Sequence, residues 1–216
     1  MRPSELRADA LGLHLGGREV LAGIGLTARP GEPLAISGAS GSGKTVLLLT
    51  LAGLLAPTEG TVSIDGTPVV AGALPPGTHL GVILQTQGLL PELTAAENVA
   101  LPLQEAGRAT SEVASLTSEA LAAVGLDTVG DRLSGELSGG QRQRVGVARA
   151  LAGSPEIVIA DEPTSELDPD NRTRILSLVL GSAPPRIVVI ASNDPEVVKA
   201  CRHVIRLRDG RIDPDG

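Results

Sequence analysis

Of the 216 residues, none is phenylalanine, tyrosine or tryptophan. No base can therefore be stacked on a benzene, phenol or indole ring of this chain. Cysteine is almost as scarce: Cys201 stands alone, which rules out an internal disulfide and reads as a cytosolic thiol in a packed helix. Basic runs are missing as well. Eighteen lysines and arginines against twenty-five acids give a net charge of -7, with no cluster to follow a phosphate backbone, so nucleic acid is not expected as a partner. Long apolar stretches are absent too. The most apolar segment, Val46 to Ala56, follows a lysine, is too short to span a bilayer and reads as a core helix. MRPSELRADALGL has neither an apolar h-region nor a small-residue cleavage site, so export is not expected, and any membrane role must come through another chain.

With 42% hydrophobic residues, the chain can bury a core of one large domain or of a domain with a subdomain. ELRADALGL, LAGIGLTA and PLAIS read as strands, and TVSIDGTPV reads as a hairpin turning at Asp65-Gly66. The short apolar runs HLGVIL, EIVIA and RIVVIA read as fully buried strands of a mostly parallel sheet. Between Gly88 and Ala152 the pattern becomes helical. Thr94 to Glu97 and Ser138 to Gln141 match capping boxes, and Asp168-Pro169 and Asp194-Pro195 each pair an N-cap acid with a proline at the first helical position. The expected fold is α/β: a mostly parallel sheet core, an N-terminal antiparallel β region and a helical insert.

Two acidic or glycine-rich elements carry the chemistry. Gly38-Ala39-Ser40-Gly41-Ser42-Gly43-Lys44-Thr45 follows a strand and opens an apolar helix, the context of a phosphate-binding loop. Its glycines let the backbone wrap phosphates, and the helix points free N–H groups at them. Lys44 is placed to reach the terminal phosphates, and the Thr45 hydroxyl to ligate Mg²⁺. The run EIVIADE ends in Asp161-Glu162, two carboxylates at the carboxyl end of a buried strand, where open α/β sheets bind ligands. Asp161 can hold the metal through water, and Glu162 can orient and polarise an attacking water.

LSGGQ at Leu137 to Gln141, continued as QRQRVGVARAL, completes a set that resembles the ATP-binding subunit of ABC transporters over nearly the whole chain. Gln85 in VILQTQGLLPELTAAENVALPL is similar to the family's Q-loop glutamine, and Ser165 to Asp168 to its D-loop. LLPELTAAENVALPL is particularly similar to the lipoprotein-release, macrolide-export and cell-division branch. The resemblance implies the P-loop NTPase fold of ABC ATPases in a single domain. Residues 1–87 and 153–216 would form the nucleotide-binding core, and residues 88–152 the helical signature subdomain. It also implies ATP and Mg²⁺ as cofactors, with Gln85 sensing the metal. A signature at Ser138, Gly139, Gly140 and Gln141 would close on ATP held by a partner in a head-to-tail homodimer or heterodimer. An integral membrane permease, a separate chain, would hold the dimer at the cytoplasmic side of the plasma membrane.

Two positions depart from the family. The aromatic residue that usually stacks on adenine is matched by Leu15, and the neighbouring His14 reads as a surface residue. The histidine that contacts the γ-phosphate is matched by Asn193, whose shorter amide cannot take up a proton as imidazole can. His203 is no substitute, because it starts the next strand. The expected activity is ATP hydrolysis, slowed by Asn193, that powers a transmembrane protein. The alternative is a cell-division-type module that signals through a membrane partner without transport. A DNA-repair or translation ATPase lacks support, since neither a coiled-coil insertion nor a second ATPase domain is present. A P-loop GTPase is excluded by the absence of Asn-Lys-x-Asp.

Overall fold

The N-terminal alternation of apolar and polar residues folds into β1 (Leu6–Leu15) and β2 (Arg18–Ala28), which pair antiparallel. β4 (Glu59–Ile64) pairs with β1, and β5 (Thr67–Pro68) with β4, giving the order β2-β1-β4-β5. The hairpin turns where the sequence indicates: Asp65 and Gly66 have φ of 49° and 77°, the left-handed pair that a two-residue I′ turn demands.

A second sheet carries the site. β3 (Leu34–Ser37) runs parallel to both β8 (Ile187–Ala191) and β9 (His203–Arg208), and β7 (Ile157–Asp161) runs parallel to β8. β10 (Arg211–Ile212) adds antiparallel to β9. Every residue of β7 and β8 is buried. A strand covered on both faces has no solvent side, which is why these runs are continuously apolar. His203 does start β9, as the sequence indicates.

The computed structural model describes residues 2–181 and 183–214. They fall into two compact units. One comprises Met1–Leu80, Glu156–Glu162 and Ala183–Gly216; the other comprises Gly81–Pro155 and Pro163–Ser182. The first holds both groups of strands above with α1 (Lys44–Leu51) and α6 (Pro195–Ala200). β6 (Leu80–Ile83) carries the chain into the second, which is built of α2 (Ala95–Glu105), α3 (Thr110–Ala123), α4 (Gly139–Leu151) and α5 (Pro169–Leu180). Among the described residues, no helix is long and apolar enough to cross a membrane.

Both capping boxes form: Thr94 and Ser138 accept from the N–H of Glu97 and Gln141, whose side chains reach back to the N-cap amides. Asp168 and Asp194 cap α5 and α6. Two expectations are corrected. The apolar stretch from Val46 to Ala56 is not one helix. α1 ends at Leu51 because Gly53 turns left-handed at φ 69°, and the Leu54 N–H bonds back to the Leu49 carbonyl at 2.9 Å. Cys201 is not inside a helix but follows α6 as its C-cap.

Candidate nucleotide site

The phosphate-binding loop lies between β3 and α1 in the first unit, and its glycines are there for conformation. Gly38, Gly41 and Gly43 have φ of 149°, 80° and 103°. A Cβ on Gly38 would collide with the Leu207 carbonyl of β9, so no larger residue fits there. α1 starts without a side-chain cap, unlike α2, α4, α5 and α6. Its first N–H groups thus have no side chain of their own to satisfy them, which suits an anion.

Lys44 is buried, and its ammonium turns back into the loop, donating to the Gly38 carbonyl at 2.6 Å and the Ala39 carbonyl at 3.2 Å. The charge therefore sits inside the ring of backbone that would enclose phosphates. Thr45 and Asp161 come together from α1 and the end of β7, with the Thr45 hydroxyl donating to Asp161 Oδ2 at 2.5 Å. Asp161 is only 3% exposed. Two hard oxygen donors at this separation fit a Mg²⁺ ion that is also held by phosphate and water.

Glu162 follows directly and adopts φ 46°, a left-handed conformation uncommon outside glycine. The carboxylate is held from the loop after β8: Ser192 Oγ donates to Oε2 at 3.0 Å, and the Asn193 N–H donates to Oε1 at 3.2 Å. Asn193 also reaches the phosphate loop, since its Oδ1 accepts from the Gly38 N–H at 3.2 Å. One exposed side chain is thus bonded to the phosphate loop, while its own backbone holds the carboxylate. Leu15, at the end of β1, is 42% exposed, and His14 contacts Thr58 Oγ1 through Nδ1 at 3.2 Å.

The remaining predicted residues belong to the second unit. Gln85 is exposed just after β6, and its carbonyl accepts from Gln87 Nε2 at 3.1 Å. Arg149 of α4 fixes the following turn through the carbonyls of Gln87 at 2.6 Å and Gly88 at 2.7 Å. Burial there pushes the guanidinium below its ordinary pKa. Ser138, Gly139, Gly140 and Gln141 form the cap and first turn of α4. Sequence reasoning missed the residue that braces them. Buried Gln143 donates to Ser165 Oγ at 3.2 Å and accepts from the Glu166 N–H at 2.9 Å, pinning the loop after Glu162 to the start of α4. A Cβ on Gly139 would meet the Glu166 carboxylate, and one on Gly140 would lie 3.0 Å from the Glu166 carbonyl. Buried Asn98 was missed too. Its amide donates to the carbonyls of Leu90, Leu93 and Thr94, and its Oδ1 accepts from the Leu90 N–H.

A glycine loop around a lysine, ending in a helix that carries a hydroxyl, with two carboxylates at the end of one buried strand, defines a P-loop nucleotide-binding protein. The pattern of the ABC transporter family matches residues 21–165. The methionine import ATP-binding protein MetN of Caulobacter vibrioides is 40% identical over 93% of this chain, which spans 63% of that relative's length. The lipoprotein-releasing system ATP-binding protein LolD of Chromohalobacter salexigens is 41% identical over 91% of this chain and 86% of its own. Among solved structures, the dimeric post-hydrolysis state of the ATP-binding cassette MJ0796, bound to ADP and Pi, superposes with a TM-score of 0.88 at 32% identity, covering 96% of both chains. The chain belongs to the ABC transporter family, as an ATP-binding and ATP-hydrolysing subunit with the α/β fold of its cassettes.

Proposed function

We propose that this chain powers a separate transmembrane protein by closing and opening an ATP-sandwich dimer at the cytoplasmic side of the plasma membrane. The observation that carries the reading is the meeting of Lys44, Thr45, Asp161 and Glu162 at the phosphate loop and the end of β7. Residues 38–45 cradle the phosphates, with Lys44 releasing its two carbonyl partners to take phosphate oxygens. Thr45 and Asp161 would hold Mg²⁺, which would offset charge on the terminal phosphates, and Gln85 is the residue that the family resemblance assigns to sensing the ion. Glu162, held at both oxygens, accepts a hydrogen bond from the attacking water and takes its proton as the water oxygen bonds to the γ-phosphorus, the bridging P–O bond breaks and ADP leaves. Ser138, Gly139, Gly140 and Gln141 offer a helix start that one nucleotide per chain leaves unused, and it serves the ATP held by the opposing subunit. Residues 1–87 and 153–216 act as the nucleotide-binding core, and residues 88–152 as the signature subdomain.

Asn193 stands where the family carries its histidine. With its side-chain oxygen engaged by the Gly38 N–H, only the short amide NH₂ remains to face the γ-phosphate, and turnover is slow for that reason. Of the relatives' cargoes, lipoprotein is favoured over methionine, because LLPELTAAENVALPL is similar to the lipoprotein-release branch and the chain covers 86% of that relative against 63% of MetN. Substituting Glu162→Gln keeps ATP binding and blocks hydrolysis, so ATP accumulates a dimer on size exclusion. A strictly monomeric Glu162→Gln protein in saturating ATP contradicts the sandwich.

A further inference from the structure

We infer that Ser192 is a positioning residue for the hydrolytic step, holding Glu162 in the one orientation from which it can act. The inference rests on the reading of Glu162 as the group that polarises water. Ser192 follows β8 and is 0% exposed, and its backbone N–H is tied to the Ile36 carbonyl of β3 at 3.1 Å. Its hydroxyl accepts the Asp194 N–H at 3.1 Å and lies 3.0 Å from Glu162 Oε2. An amide can only donate and a serine hydroxyl has one proton, so the proton points to the carboxylate. The serine is fully buried, and Glu162 is half-buried.

The geometry makes the bond matter for orientation more than for binding. Glu162 is more than a conventional strand end. Its backbone is left-handed, with its N–H bonded to the Ala191 carbonyl at 2.9 Å, which aims the side chain across the end of β8. Beyond that backbone, the Ser192 hydroxyl donates to Oε2 and the Asn193 N–H to Oε1. Losing the hydroxyl removes the donor that holds Oε2 and loosens the orientation of the carboxylate. A displacement of about 1 Å at a reacting group costs about 10²-fold in rate. Among the described residues, Ser192 hydrogen-bonds Glu162, Asp194 and Ile36 rather than Lys44 or the loop amides, so substrate affinity should be largely independent of it.

The test is steady-state ATP hydrolysis by the purified chain and four variants, Ser192→Ala, Ser192→Thr, Ser192→Cys and Glu162→Gln, with thermal melts confirming that each is folded. Ser192→Ala is expected to lower kcat by about 10- to 100-fold with KM unchanged. Ser192→Thr, which keeps the hydroxyl, restores kcat to within a few-fold of wild type, and Ser192→Cys, a weaker donor, falls between. An unchanged kcat in Ser192→Ala while Glu162→Gln is inactive overturns the inference and leaves the role of Glu162 standing. A loss shared by alanine and threonine, or one seen in KM, overturns it in favour of a purely structural serine. Full turnover in Glu162→Gln overturns the reading of Glu162 itself, and the inference with it.

Discussion

Replacing Asn193 by histidine should raise turnover, and the structure allows the size of the effect to be bounded. Asn193 makes two kinds of bond: its backbone N–H goes to Glu162, and its side-chain oxygen accepts the Gly38 N–H. Histidine keeps the first, because it belongs to the main chain. The second is a 3.2 Å bond on an exposed side chain, at the weak end of a range of about 0.5–1.5 kcal/mol, so losing it changes ATP affinity by only about twofold. The gain is a longer, ring-borne N–H that can reach a γ-phosphate oxygen. Removing one preorganised donor from a charged transition state costs about 10²- to 10³-fold in rate. Asparagine retains an NH₂ of its own, so the step from amide to imidazole is worth less, about tenfold or about 1.4 kcal/mol. The measurement is kcat and KM for wild type, Asn193→His and Asn193→Ala. The expected order in kcat is histidine, asparagine, alanine, with KM moving by no more than a few-fold. A histidine variant no faster than wild type would refute the reasoning, showing that the amide already serves the γ-phosphate as well as a ring would.

Lys44→Ala should weaken ATP binding by about 10- to 150-fold in a calorimetric titration, from the loss of charge-assisted bonds worth about 1.5–3 kcal/mol; unchanged affinity would remove Lys44 from the phosphate site. Burial pushes the Cys201 thiol up to about 11. Because only the thiolate reacts, alkylation of the native protein at pH 8 should be about 10²-fold slower than in denaturant, approaching the denatured rate only as pH rises toward that value. Equal native and denatured rates would show an open thiol.

What the sequence disclosed depended on the range over which each signal acts. Caps are settled within four residues, so both capping boxes and both Asp-Pro helix starts could be read directly. Buried parallel strands announce themselves through unbroken apolar runs, and β7 and β8 are of that kind. The end of α1 was obscured because the apolar run continues to Ala56, past the left-handed Gly53 that stops the helix. β10 escaped notice although Asp209-Gly210 is a hairpin signal. The braces of the site were illegible for a different reason. Ser192 is 30 residues from Glu162, and Gln143 is 22 and 23 residues from the two it holds, so neither side chain has meaning until the strands and loops are assembled. The phosphate loop could be read because its residues are consecutive. The clamp on Glu162 could not, because it is built across a sheet.

A core assembled from leucine, isoleucine, valine and alanine alone is also optically silent. With no indole, phenol or benzene ring in the chain, near-ultraviolet absorbance and intrinsic fluorescence carry almost no signal from this subunit. Any membrane partner or added cargo can therefore be followed spectroscopically in its presence without a background to subtract. The same silence turns exposed Leu15, at the tip of β1, into a reporter position. A tryptophan placed there would be the sole emitter in the chain, and changes in its emission on adding nucleotide would read base contact directly.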